Sequence, residues 1–178
     1  MKKIYILLTK SKTTISKVIS LTTNDSYTHA SISFNENLCP MYSFSREHIH
    51  IPLPANIRIE PLYSGFYKKY DNIPCALYVV EVTDTKYDAA KKFVENMLKN
   101  RKNYNYNIIG LLFCRLGVKF ERKNKFFCSE FVSKVLVDKN IIKIKKSPSL
   151  IRPNDFTNMQ ELHCLYEGKL CDLKQNLL

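Results

Sequence analysis

The stretch Lys125-Phe126-Phe127-Cys128-Ser129-Glu130-Phe131-Val132-Ser133-Lys134-Val135-Leu136 is the one the rest of the chain is organised around. Phe131, Val132, Val135 and Leu136 fall at helical spacing, and Cys128 shares their face one turn earlier. Two aromatic residues precede the cysteine, so an extended apolar segment is expected to turn into a buried helix at this point. A thiol in the first turn of a helix meets the positive end of the macrodipole and backbone N–H groups that lack intrahelical partners. That setting lowers a cysteine pKa and makes the thiolate available as a nucleophile. The plain alternative is a small buried core cysteine.

Working outward, the 178 residues suffice for one well-buried domain spanning 1–178, and nothing in the sequence demands a second. Hydrophobic content of 45% with only 4 Gly and 7 Pro reads as an ordinary globular chain. Lys and Arg exceed Asp and Glu by 28 − 16 = 12, a positive field that favours anionic partners such as an acidic membrane surface or an anionic polymer. No basic run is interleaved with aromatics and no nucleic-acid motif is present, so nucleic acid is not an expected partner.

The six cysteines at 39, 75, 114, 128, 164 and 171 include no Cys-x-x-Cys pair and do not combine with histidines at zinc-finger spacing. Scattered through apolar segments, they suggest reduced thiols in a reducing compartment. The opening Met1-Lys2-Lys3-Ile4-Tyr5-Ile6-Leu7-Leu8 imitates a signal-peptide n-region, but its apolar run stops after five residues. It reads as a first strand. With no run near the ~20 apolar residues needed to span a bilayer, a soluble cytoplasmic protein is the expectation, with neither metal nor cofactor.

After a strand at 3–9, Ser11 or Thr13 can cap a short helix carrying Ile15, Val18 and Ile19. Tyr27 to Phe34 then alternates in period two, with Ala30, Ile32 and Phe34 facing one way and His29, Ser31 and Ser33 the other. The turn Asn35-Glu36-Asn37 leads to a strand at Met41–Arg46, a hairpin that places Ser43 or Ser45 beside His29. Further strands are expected at 57–62 and at Cys75–Val82, the latter central because it is almost wholly apolar. Helices should follow from Thr83 or Asp84, near 105–114, and from Cys128 to about 138. Residues 147–156 read as a proline-punctuated loop with a short helical turn, and Leu162–Leu173 as a closing hairpin. The mixture is α+β without regular βαβ alternation.

A cysteine nucleophile needs a base to take its proton and return it to the leaving group. Of four histidines, His29 is the best placed, opposite its apolar neighbours and flanked by the small Ala30 and Ser31. A zinc site from His48, His50 and Cys39 has no support in the spacing, and His163 begins the final segment.

Taken together, Phe-Phe-Cys-Ser-Glu-Phe-Val at the helix and Tyr-Thr-His-Ala-Ser-Ile on an earlier strand resemble the circularly permuted branch of the NlpC-type papain-like superfamily. The YiiX/YebB-like cysteine hydrolases are the nearest group. Histidine before cysteine is the order that marks the permuted branch. The opening strand and helix, Tyr106-Asn107-Ile108-Ile109-Gly110, and the late Ser-Pro-Ser-Leu…Pro-Asn-Asp-Phe segment also look family-like.

The resemblance implies a papain-like fold, a small antiparallel sheet packed against helices, with the cysteine facing a sheet histidine. It implies Cys128 as nucleophile, His29 as general base, and a third polar residue on the following strand to orient the ring. That strand offers Ser43, favoured by motif position, and Ser45, equal on hairpin geometry, with Glu47 just beyond. Serine is a departure, since relatives often carry a carboxylate or amide here. Tyr106, or Tyr104, matches a tyrosine that lines the site in relatives and helps hold an oxyanion.

The leading expectation is a cysteine hydrolase that cuts an amide, isopeptide or ester bond through a thioester. Its substrate would be a peptide, a modified protein or an acyl lipid. The alternatives are a peripheral-membrane acyltransferase or lipid hydrolase of the same fold, and a basic binding module whose thiol is inert.

Overall fold

A strand covered on both faces loses its polar alternation, and Cys75-Ala76-Leu77-Tyr78-Val79-Val80 is such a strand. A computed structural model, which describes residues 1–10, 25–46 and 55–177, shows why. The fold is mixed α+β around a six-stranded antiparallel sheet. Its strands are β1 (Lys2–Thr9), β2 (His29–Ser33), β3 (Met41–Arg46), β4 (Ala55–Glu60), β5 (Pro74–Val82) and, after two short strands named below, β8 (His163–Lys169). They lie in the order β4-β3-β2-β1-β5-β8.

Helices α1 (Gly65–Lys69), α2 (Asp84–Lys99), α3 (Ile108–Arg115), α4 (Cys128–Asp138) and α5 (Leu170–Asn176) complete the described fold. A two-residue parallel ladder joins β6 (Asn105–Tyr106) to β7 (Lys125–Phe126), tying the approach to α3 to the approach to α4.

Apolar side chains cover the sheet on both sides. On one, Ile4, Ile6, Leu8, Ala30, Ile32, Phe44 and Val80 pack with Val94 of α2 and with Phe131, Val132, Val135 and Leu136 of α4. On the other, Tyr5, Leu7, Met41, Cys75, Leu77 and Val79 pack with Leu38, Leu62, Tyr67, Leu170 and Leu173. The β1–β5 ladder runs from Lys2↔Val82 to Thr9↔Cys75, so β5 is an interior strand, as its composition suggests.

The β2–β3 hairpin forms with Ile32 opposite Tyr42 and Ser33 opposite Met41. In the turn, Leu38 takes φ 56° while its side chain is fully buried. Burial of the leucine offsets the strain of a left-handed backbone in a non-glycine residue.

Two boundaries differ from expectation. The strand expected at 57–62 is Ala55–Glu60, so it ends on Glu60 and releases Leu62 to pack beneath the sheet. The stretch expected to be helical from 105 first pairs as β6, and α3 starts only after Asn107. That asparagine caps it by accepting from the Gly110 N–H at 3.0 Å.

The closing hairpin does not form. His163–Lys169 pairs with β5 instead, and the chain continues into α5, because Leu170 and Leu173 at i, i+3 find a buried seat. The helix expected from Ser11 or Thr13 lies outside the described residues, as do Glu47, His48 and His50. Residues 147–156 contain short 3-10 turns, Pro148–Leu150 and the start of Pro153–Asn158.

Candidate active site

The position of Cys128 follows from how α4 begins. Phe127 is extended (φ −97°, ψ 171°) and fully buried, and Cys128 is the first helical residue. Nothing in a phenylalanine side chain can cap a helix. The donors left unpaired at the helix start are served by other groups: Glu130 Oε2 accepts the Phe127 N–H at 3.2 Å. The backbone N–H groups of Ser129 and Ala30 face the Cys128 sulfur and favour its thiolate. Phe131, behind the cysteine, packs on Phe44 of β3 with ring centroids 5.2 Å apart. Ser129 donates to the Ile151 carbonyl at 2.7 Å. These contacts fix the first turn against the sheet.

His29 is the first residue of β2, and its ring lies close enough to the Cys128 sulfur for each group to shift the other. The opposite edge of the ring is occupied. Nε2 lies 3.1 Å and 3.0 Å from the two carboxylate oxygens of Glu60, and 3.3 Å from Ser43 Oγ. With Nε2 committed there, Nδ1 is the nitrogen left for the thiol.

Glu60 is itself held. Ser31 Oγ donates to Oε2 at 2.6 Å, and Ser45 lies near enough to the same carboxylate to help lower it. The side chains of His29 and Glu60 retain only 16% and 13% of their exposure, and Cys128 only 4%, so the three charges interact with little screening.

The electrostatics are those of a mutually stabilised chain. Burial alone would push the His29 imidazole down, but the Glu60 carboxylate and the Cys128 thiolate hold it well above its usual range. Burial alone would raise the Cys128 thiol. The imidazolium beside it, its hydrogen bond, and the Ala30 and Ser129 N–H groups bring it below the ordinary thiol value instead. Glu60 is lowered in the same way: burial opposes its ionisation, and the charge and hydrogen bond of His29 outweigh it.

Tyr106 lies beside Cys128 as well. Burial, then the adjacent thiolate, lifts its phenol well above the usual tyrosine range, so the hydroxyl keeps its proton and serves as a donor at the sulfur. Tyr104 packs on Phe126, ring centroids 6.4 Å apart. A buried ion network lies behind. Asp25 meets Arg115 at 3.6 Å and Arg152 at 3.4 Å, joining the segment before β2 to α3 and to the turn at Pro153–Asn158.

The structure thus brings Cys128, His29, Ser43 and Tyr106 together. Ser43 is beside the ring, but its single proton goes to the Ala30 carbonyl at 3.0 Å, which leaves only its lone pairs for Nε2. Ser45 touches the carboxylate and not the imidazole. The partner of the ring that sequence reasoning missed is Glu60. It lies one strand farther than the hairpin partner, in a stretch expected to be a strand, on the polar side of the alternation Ile57-Arg58-Ile59-Glu60. That lone acidic residue on the polar face was the available signal.

Of the metal alternative, Cys39 is exposed and the two histidines lie outside the described residues. No protein-family model matches the chain, and no curated protein matches it. The functional reading therefore stands on geometry and chemistry. A thiolate at a helix N-terminus, paired with an imidazolium that a buried carboxylate holds, can attack an electrophilic carbon and deliver a proton to what leaves.

Proposed function

We propose that this protein is a cysteine hydrolase acting on an amide, isopeptide or ester bond, with Cys128 as nucleophile, His29 as general acid and base, and Glu60 orienting the ring. The observation that carries the reading is the Cys128–His29–Glu60 chain, in which each member shifts the next toward the ionisation state that catalysis requires.

In the first step the Cys128 sulfur attacks the carbonyl carbon and the carbonyl oxygen takes up the charge. Collapse of that adduct expels the amine or alcohol, which takes a proton from His29, and leaves a thioester. Water then gives a proton to His29 and attacks the thioester carbon, releasing the acid and the thiol. Tyr106, protonated and beside the sulfur, is placed to donate to the oxygen on which charge develops as the sulfur attacks. Glu60 keeps the imidazole in the orientation that presents Nδ1 to the sulfur and stabilises its charged form.

A circularly permuted papain-like fold is the architecture this reading implies. Its support is the order of the parts, histidine strand before cysteine helix, on an antiparallel sheet. Six free cysteines fit a reducing, cytoplasmic setting, and no described helix is long and apolar enough to cross a membrane. The test is covalent labelling by a small thiol-directed acyl probe. Cys128→Ala and His29→Ala should each abolish labelling while thermal melting shows an intact fold. Labelling of Cys39 or Cys171 with Cys128 untouched overturns the proposal.

A further inference from the structure

Helix α3 has two apolar faces, and the fold uses one. Gly110, Leu111 and Cys114 are buried against Phe127 and Tyr106. On the opposite side Ile109, Leu112 and Leu116, at i, i+3 and i+7, form a single stripe. They remain 45%, 52% and 75% exposed, and Val118 just beyond is 46% exposed. Gly117, at φ 70° with open space around it, ends the helix, and the Val118 N–H donates back to the Phe113 carbonyl at 2.9 Å. Phe113 and Phe120 stack with centroids 4.8 Å apart, which folds the 118–120 segment back along the helix. These residues form a contiguous apolar strip that no described element covers.

The rim of the strip is cationic. Lys119, Arg122, Lys123 and Lys125 follow the helix with one acid, Glu121, among them, while Arg115 is turned inward to Asp25. Glu121 is bound to Lys119 at 3.3 Å and to Ser147, which leaves Lys123 exposed with no carboxylate among its neighbours in sequence. A second copy of the chain would bring the same cations together and repel. A bilayer surface containing anionic lipid satisfies both features, taking the leucines into the acyl boundary and the lysines among the headgroups.

We infer that the exposed face of α3, with Val118 and its lysine rim, docks the protein on anionic membrane surfaces. The inference is independent of the chemistry proposed for Cys128, although it would place the bilayer about one helix diameter, ~10 Å, from Phe127. It favours substrates that are membrane-borne.

The test is co-sedimentation of the full chain with vesicles of phosphatidylcholine alone or with phosphatidylglycerol added. Wild type should bind the anionic vesicles and be weakened by salt. The double substitution Leu112→Asp, Leu116→Asp should lower the partition coefficient at least about tenfold with an unchanged melting temperature. Lys119→Glu with Lys123→Glu should remove the preference for anionic lipid. Cys128→Ala should bind as wild type does, so failure of the catalytic proposal leaves this result intact. Wild type that ignores anionic vesicles, or an aspartate variant that binds equally well, overturns the inference. So does a wild-type dimer in light scattering that the aspartate variant converts to monomer, which would assign the strip to a second copy.

Discussion

Both carboxylate oxygens of Glu60 lie within 3.1 Å of His29 Nε2, across two strand boundaries of the sheet. A buried carboxylate on the far edge of an imidazole favours the charged ring, and the charged ring favours the thiolate at its near edge. Glu60 therefore acts on Cys128 without touching it.

The first expectation concerns that relay. Glu60→Gln keeps the shape and one acceptor but removes the charge, so the imidazole falls and the thiol rises. The pH profile of Cys128 alkylation should move up toward an ordinary thiol midpoint of about 8.5, and the rate at neutral pH should drop about 10- to 1000-fold. Ser43→Ala, which removes only a weak contact to Nε2, should leave the midpoint close to wild type. Mass-spectrometric alkylation kinetics would decide, and an unmoved midpoint in the glutamine variant would rule out the relay.

His29 carries the second. Because the thiol is held low and the imidazole high, the ion pair should exist across the pH interval between them. Each group adds stability through this pairing. The thiol's contribution is present above its ordinary value and lost as pH falls through the lowered one. The imidazole's is present below its ordinary value and lost as pH rises through the raised one. His29→Ala should abolish the thiolate signal near 240 nm in difference spectra at neutral pH.

Glu130 should give the molecule a separate pH dependence. Burial pushes its carboxyl up to about 7, against the partial relief of the Phe127 N–H and Asn107. A carboxyl raised in the folded state stabilises fully below its ordinary value near 4.5, and that contribution disappears as pH climbs through about 7. Between pH 5 and 8 the wild type should lose on the order of 3 kcal/mol relative to Glu130→Gln, whose amide oxygen can still accept both bonds. Denaturant melts of the two proteins across that range supply the comparison, and parallel curves would contradict the assignment.

Tyr106→Phe removes the hydroxyl from the sulfur and leaves the ring in place. Acylation by the thiol probe should slow about 10- to 100-fold with little change in probe affinity. A rate equal to wild type would reduce Tyr106 to a packing residue.

The packing of the helix should matter to the whole fold. Phe131 is 1% exposed and meets Phe44, so Phe131→Ala should cost about 3–5 kcal/mol in a denaturant titration.

Periodicity made much of this protein legible. The alternation of Tyr27 to Phe34 marked β2 and turned His29 away from the core, and the spacing of Phe131, Val132, Val135 and Leu136 marked α4 with Cys128 at its head. Those are local properties of a pleat or a helix, and a sequence carries them directly. The end of the chain was misread because a turn-like Tyr166-Glu167-Gly168-Lys169 gives no sign that β5 offers an open edge, nor that Leu170 and Leu173 have a pocket to fill.

Glu60 is the sharper case. Whether its carboxylate reaches a histidine 31 residues earlier depends on the registers of two successive ladders, β2 on β3 and β3 on β4. A slip of one residue in either would turn it away. The sequence by itself determined the helix that carries Cys128 and the strand that carries His29. Only the tertiary structure decided what holds the imidazole, because register is fixed by packing across the sheet and not by any neighbouring residue.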